Sequence, residues 1–448
     1  MEEFLNGMSM DIEEIERKKL RKVFPQCFSD GKLDIDKLLN LCGEYQHEDY
    51  EKYKFEWKGK AECFQIAGKR TMGTLRPCKE ESVNFDETQN LYIEGDNLEV
   101  LKILQRSYFN KVKMIYIDPP YNTGNDFVYE DDFKDPIQHY KEITSQATKS
   151  NPETMGRFHT AWLNMMFPRL RLAYNLLRED GVCFISIDDH EVHNLRKICD
   201  EVFGEGNFIA QICHKNRDGV SNDKIISSNH NFILFYCKDI ELVHSIRDQF
   251  GIKRGEKDFK NYNKNDNDGK GFYALNPVTG PGGARKGNPY YEILGIKNYW
   301  RFSKDRMLKM VHNGLIVKLN NSLYQKTYKQ DVIDKKKSIT TWWDNVGTTA
   351  KGTTQIKDLF EKICFDFAKP VDLVKHILKF IPYAENDIVL DFFSGSATTA
   401  HAVMELNKED GGNRKFIMVQ LPELCNENTE AFKAGYKNIC EIGKERIR

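Results

Sequence analysis

The chain has 448 residues, 40% hydrophobic and 30% charged, with a formal net charge of −1. That length allows two or three domains with ordinary cores, and the near-neutral total neither supports nor excludes a nucleic-acid partner. No apolar run approaches the roughly 20 residues that cross a bilayer, and the acidic stretch Met1–Arg21 has neither a signal core nor a transit character, so no membrane partner and a cytoplasmic location are expected.

Residues 1–85 read as a helical and connecting region with short charged helices at Met10–Lys22 and Asp34–Tyr45. An alternating pattern follows: strand Leu91–Glu94, amphipathic helix Asn97–Ser107, strand Val112–Ile117, helix His159–Arg178, strand Val182–Ile187 and helix Glu191–Val202. Such alternation predicts an α/β fold with a parallel sheet flanked by helices. Between 211 and 350 the character changes, and Lys260–Lys286 is dense in Asn, Asp, Gly, Pro and Lys, the composition of loops. Residues 211–350 hold 24 Lys and Arg against 14 Asp and Glu, interleaved with aromatics such as Tyr262, Phe272, Tyr290, Trp300, Trp342 and Trp343. Two readings stay open: a solvated insertion with a small aromatic core, or a DNA-reading module whose cations grip phosphates. After 350 the α/β rhythm returns, with helix Asp372–Phe380, strand Ile388–Phe392, helix Thr398–Leu406 and strand Lys415–Gln420. The 11 cysteines are scattered with no C-x-x-C, which argues against a disulfide framework and structural zinc; no metal site is expected.

Two motifs carry chemistry. Asp118-Pro119-Pro120-Tyr121, followed by Asn122, sits just past the strand Val112–Ile117, where open α/β sheets place their ligands. The two prolines fix φ, so the loop presents a carboxylate, carbonyls and an aromatic face with little freedom. Methylation of an exocyclic amine needs such an array, because the amine lone pair is delocalised into the ring. Acceptors for its two N–H groups, here Asp118 and the Pro119 carbonyl, draw the nitrogen towards tetrahedral geometry, while Tyr121 offers a stacking face for a base taken out of the duplex. The second motif, Asp391-Phe392-Phe393-Ser394-Gly395-Ser396-Ala397-Thr398-Thr399, follows the apolar run Ile388–Leu390. Strand, small-residue turn and helix form a nucleotide-type cofactor site, and the lack of G-x-G-x-x-G speaks against a dinucleotide oxidoreductase.

Together these motifs resemble the amino-methyltransferases of DNA, which carry a D-P-P-Y motif and an F-x-G-x-G cofactor motif. Their order, catalytic first with a basic insertion between, resembles the β class. Tyr92–Leu101, Met114–Val128, Trp162–Arg169, Phe184–Asp189, Phe367–Pro370 and Phe416–Glu423 further resemble the modification subunit of type III restriction–modification systems, from about residue 50 to the end. The resemblance implies a circularly permuted, Rossmann-like S-adenosylmethionine-dependent methyltransferase sheet. Its two halves would be 86–210 and 351–448, with a basic target-recognition region at 211–350. Ile388–Phe392 and Lys415–Gln420 would be the first two strands of the usual order, Leu91–Glu94 the third and Val112–Ile117 the fourth. Asp391, Phe393, Ser394, Gly395 and Ser396 would surround the methionine part of S-adenosylmethionine, Thr398 would also be a cofactor-binding residue, and Lys369 and Pro370 match a further cofactor-side motif. Asp96 would lie near the adenine of the cofactor, and Gln420 or Glu423 near its ribose. Tyr121, Asn122 and His230 would line the target-base pocket. The implied activity is transfer of a methyl group to N6 of adenine in double-stranded DNA, by a homodimer working with a separate restriction subunit. Cytosine-N4 methylation and a catalytically silent recognition subunit are the alternatives. This sequence departs from the family where Ala397 replaces the second glycine, and the resembled subunits continue beyond Arg448, which leaves a fragment and a natural short form as readings.

Overall fold

The computed structural model describes residues 10–29, 32–41, 54–123, 152–220 and 225–448. The end of the helix expected at Asp34–Tyr45 and the segment Gly124–Val128 lie outside the described residues. The described chain divides into two compact units: Ile246–Ile339 with Lys379–Pro382, and the remainder.

The larger unit is built on an eight-stranded sheet. Its strands, numbered here in chain order, are β1 (Leu91–Glu94), β2 (Val112–Ile117), β3 (Leu177–Ile187), β4 (Phe208–Lys215), β5 (His230–Cys237), β6 (Trp342–Trp343), β7 (Ile388–Asp391) and β8 (Lys415–Gln420). Their spatial order is β6-β4-β5-β3-β2-β7-β8-β1. Every neighbouring pair is parallel except the two made by β5, which runs antiparallel to β3 and β4. Thus β7 and β8, from the end of the sequence, lie between β2 and β1. All six residues of β2 are buried, as the apolar run Val-Lys-Met-Ile-Tyr-Ile demands of a strand covered on both faces. The one charge in it, Lys113, is satisfied by the carboxylate and carbonyl of Asp180 at 2.7 and 2.9 Å.

Helix Pro152–Leu176 covers the sheet, with Trp162, Met166 and Leu170 fully buried. It gives way directly to β3, so the strand expected at Val182–Ile187 begins five residues earlier. The polar run Arg178-Glu179-Asp180-Gly181 reads as a turn, yet Leu177 pairs with Val112 and Arg178 bonds Asp387 at 2.8 Å across the sheet. The remaining expected elements form within a few residues: helices Asn97–Tyr108, Val192–Phe203, Val371–Phe380 and Thr398–Asp410.

The smaller unit has a three-stranded antiparallel sheet of Tyr273–Pro277, Ile316–Leu319 and Ser322–Tyr328, and a hairpin of Tyr290–Ile293 with Ile296–Tyr299. Trp300, Met307, Leu323, Val278, Ile293 and Ile296 form its own core. The window 211–350, drawn on composition, is wider than this unit, because β4, β5 and β6 belong to the large sheet. Charge counts do not register strand pairing; Ile246–Ile339 alone carries 20 Lys and Arg against 9 Asp and Glu.

Candidate active site

The carboxyl ends of the parallel strands β2, β7, β8 and β1 deliver Asp118, Asp391, Gln420 and Gly95–Asp96 to one edge of the sheet. Asp118 is the first residue after β2. Its Oδ1 accepts the Tyr121 hydroxyl at 2.8 Å and its Oδ2 accepts the Lys369 ammonium at 2.6 Å. The same ammonium lies 4.9 Å from the centre of the Tyr121 ring. Burial first, then the Asp118 charge, raises the Tyr121 phenol well above its ordinary range, so it stays protonated and donates. The Pro120 carbonyl accepts the buried Trp162 indole N–H at 2.7 Å, which pins the loop to helix Pro152–Leu176.

Asn122 follows with a left-handed φ of +57°. Its amide donates to Glu191 at 2.5 Å, and Glu191, fully buried, also takes His159 Nδ1 at 2.6 Å and Asn194 at 2.8 Å. A buried carboxylate needs such partners. Neither Glu191 nor His159 stands out in the sequence, because they meet Asn122 only through packing of two helices. Behind Tyr121, Asn231 donates to its hydroxyl at 3.4 Å and accepts from Asn216 at 2.8 Å. The expected His230 is not joined to this network; its ring lies edge-on to Phe232. Successive strand residues face opposite sides of the sheet, so Asn231 rather than His230 faces Tyr121. His214 is opposite Asn231 in the β4–β5 register. It is buried, bonds the Gly347 carbonyl through Nε2 at 2.8 Å, and burial holds its imidazole below the ordinary range and neutral. His214 lies in a segment that composition marks as an insertion, so sequence gives no signal for it, whereas Asn231 is the immediate neighbour of the His230 that the resemblance singles out.

The second motif forms the turn between β7 and helix Thr398–Asp410. Asp391 is buried; its two oxygens accept Phe393 N–H at 3.0 Å and the Thr399 hydroxyl at 2.6 Å. Burial, assisted by the Asp118 charge, pushes its carboxyl up to about 7. Gly395 adopts φ +50°, and a Cβ there would come within 3.2 Å of the Phe365 ring, so the turn is drawn tight against the chain before Lys369. Ala397 also lies in the left-handed region, at φ +59°. A methyl group fits a tight turn most simply at negative φ; Ala397 instead carries the conformation that a glycine adopts freely. Gln420 holds the turn from β8: its Oε1 accepts Gly395 N–H at 2.7 Å and its amide donates to the Leu421 carbonyl at 3.2 Å. Glu423 is partly buried, and burial raises its carboxyl. The Thr398 hydroxyl donates to the Lys369 carbonyl at 3.3 Å, linking this turn to the residue that pairs with Asp118.

Asp96 caps helix Asn97–Tyr108 through Leu98 and Glu99 N–H, and its other oxygen accepts fully buried Arg169 at 3.1 Å. Asn97 donates to the Phe392 carbonyl at 2.7 Å, which fixes the start of that helix against the turn. Pro370 precedes helix Val371–Phe380 and packs where a Cβ on Gly347 would sit. Among the described residues no group of three or more His, Cys, Asp or Glu is placed to hold a metal ion, and no helix is long and apolar enough to cross a membrane.

This site combines a proline-stiffened carboxylate, Asp118, with a small-residue turn that begins 273 residues later, at Asp391. Residues 112–430 match the model of a family described as DNA methylase. The chain is 36% identical over 88% of its length to the type III restriction-modification enzyme StyLTI Mod subunit of Salmonella typhimurium, of which it spans 62%. It is 34% identical over 96% of its length to the EcoPI Mod subunit of Escherichia phage P1, spanning 73% of that protein. It is 31% identical over 81% of its length to the type II methyltransferase M.KpnI of Klebsiella pneumoniae, spanning 90% of it.

Proposed function

This chain belongs to the DNA methylase family, and from that premise we propose that it transfers a methyl group from S-adenosylmethionine to the exocyclic N6 of adenine in DNA. Its place would be that of a modification subunit of a type III restriction–modification system. The observation that carries the reading is the meeting of Asp118 and the Asp391–Thr399 turn along one sheet edge, with Lys369 bonded to both.

The residues fit the cofactor. The turn is small-residued and tight, and the buried Asp391 is a carboxylate that a cationic ligand relieves. When bound, S-adenosylmethionine supplies an electrophilic methyl on sulfur. Asp391, Phe393, Ser394, Gly395, Ser396, Thr398 and Pro370 would hold it. Asp96 and Gln420 already spend their side chains on a helix cap and on Gly395, so their contribution is to shape the pocket. Glu423 is the acid left for the ribose hydroxyls.

On the target side, Asp118 accepts one N–H of the adenine amine and the Pro119 carbonyl the other. Both oxygens of Asp118 are already hydrogen-bonded, so the arriving amine exchanges with the Lys369 ammonium, which also leaves the Tyr121 face for the base to stack on. Trp162 and the Asn122–Glu191–His159 cluster keep the loop from yielding during that exchange. The basic unit Ile246–Ile339 would grip DNA phosphates, while the permuted strand order lets two distant motifs share one crevice. By likeness to the Mod subunits, a homodimer and a separate restriction subunit are the partners proposed.

The test is mass spectrometry of nucleosides from cells that lack adenine methylation and express this chain. N6-methyl-2′-deoxyadenosine in the DNA is expected, and Asp118→Ala should abolish it with the far-UV circular dichroism unchanged. N4-methyl-2′-deoxycytidine would move the target to cytosine, and neither product from a folded chain would leave a silent recognition subunit.

A further inference from the structure

Arg446 lies in helix Ile439–Ile447 and is 94% buried, with a relative exposure of 6%. Its Nη1 donates to the Ser396 hydroxyl at 2.9 Å, the Thr398 hydroxyl at 2.8 Å and the Ser396 carbonyl at 3.3 Å; its Nε donates to His401 Nδ1 at 3.2 Å. All of these partners are neutral: burial, then the charge of Arg446 itself, holds His401 below its ordinary range. Its Nη2 is buried without any hydrogen-bond partner among the described residues. A buried guanidinium without a counter-ion is costly, and arginine offers a planar fork that matches a carboxylate. Burial alone brings Arg446 down to about 10, with no acid opposing it; at neutral pH it still carries its charge.

The turn that it contacts also opens a helix. Helix Thr398–Asp410 runs for 13 residues and begins uncapped, because Ala397 has no side-chain acceptor for its first-turn N–H groups. A helix start of this kind favours an anion. Ser396 and Thr398 belong to the turn assigned to the methionine part of the cofactor, and the Thr398 hydroxyl continues to the Lys369 carbonyl.

We propose that Arg446, with the Ser396 and Thr398 hydroxyls and the start of helix Thr398–Asp410, is the binding site for the α-carboxylate of the cofactor's methionine. This rests on the reading that the turn takes S-adenosylmethionine. The C-terminal helix then has a direct part in cofactor affinity, which the two sequence motifs alone do not suggest.

Calorimetry on the full chain tests this with S-adenosylmethionine and its decarboxylated counterpart, which differ only in that carboxylate. Wild type should prefer S-adenosylmethionine by about 30-fold, the size of one charge-assisted hydrogen bond. Arg446→Gln should remove that preference by weakening S-adenosylmethionine alone, and Arg446→Lys should keep part of it. Equal weakening of both compounds would reduce Arg446 to a strut beneath the turn and overturn the proposal. Should Arg446→Gln fail to fold, a wild-type preference under about 3-fold, or full retention in Arg446→Lys together with full pairing of the lysine elsewhere, overturns it. Binding of neither compound to the folded wild type would instead strike the cofactor reading beneath it.

Discussion

Asp391 makes the stability of this protein depend on pH in a way that can be worked from the structure. Its carboxyl is buried and titrates near 7, against an ordinary 3.8. The folded state therefore holds this proton more tightly than the unfolded chain does. Stability from this group is fully present below about pH 4 and is lost as pH rises through 7. The whole loss corresponds to about 4 kcal/mol, of which about 2 kcal/mol falls between pH 5.5 and 8.5. Asp391→Asn removes the titration but keeps the geometry. The amide oxygen can still accept Phe393 N–H, and the Thr399 hydroxyl can turn to accept the new NH2. Urea unfolding of both proteins at the two pH values, followed by circular dichroism, isolates the term, since all other groups titrate alike in each. Wild type should lose about 2 kcal/mol more than the variant on going to pH 8.5. Parallel behaviour within about 0.5 kcal/mol would mean that Asp391 is already ionised at pH 5.5, and would refute the account of a carboxylate strained by burial.

Ala397 gives a ranking. Ala397→Gly relieves a left-handed backbone worth about 1–2 kcal/mol but removes a buried methyl and frees the unfolded chain, so thermal stability should change by less than about 1 kcal/mol. Ala397→Val, β-branched at positive φ, should lose more than about 2 kcal/mol, and a valine variant as stable as wild type would show that the turn does not hold this conformation in solution. For the basic unit, duplex affinity should fall about 1,000-fold between 50 and 200 mM salt if some six phosphates are neutralised. A flat salt dependence in fluorescence anisotropy would remove Ile246–Ile339 from DNA binding.

The sequence by itself determined the strands that matter most and the two motifs at their ends. Leu91–Glu94, Val112–Ile117 and Lys415–Gln420 are short apolar runs bounded by polar turns, and the structure gives them the same limits. The acid at the end of Val112–Ile117 and the small residues after Ile388–Asp391 are local features, so their positions could be read from the chain alone. Tertiary structure decided everything that depends on a partner distant in sequence. It placed β7 between β2 and β8, turned Lys369 onto Asp118, gave the Tyr121 hydroxyl to Asn231 rather than His230, and brought Arg446 under Ser396 and Thr398. It also returned β4, β5 and β6 to the large sheet, although composition had grouped them with the basic insertion. The physical reason is the range of the forces. Propensity, φ restriction and apolar periodicity act over a few residues, whereas ion pairs, buried hydrogen bonds and strand pairing exist only once the sheet has closed around its core.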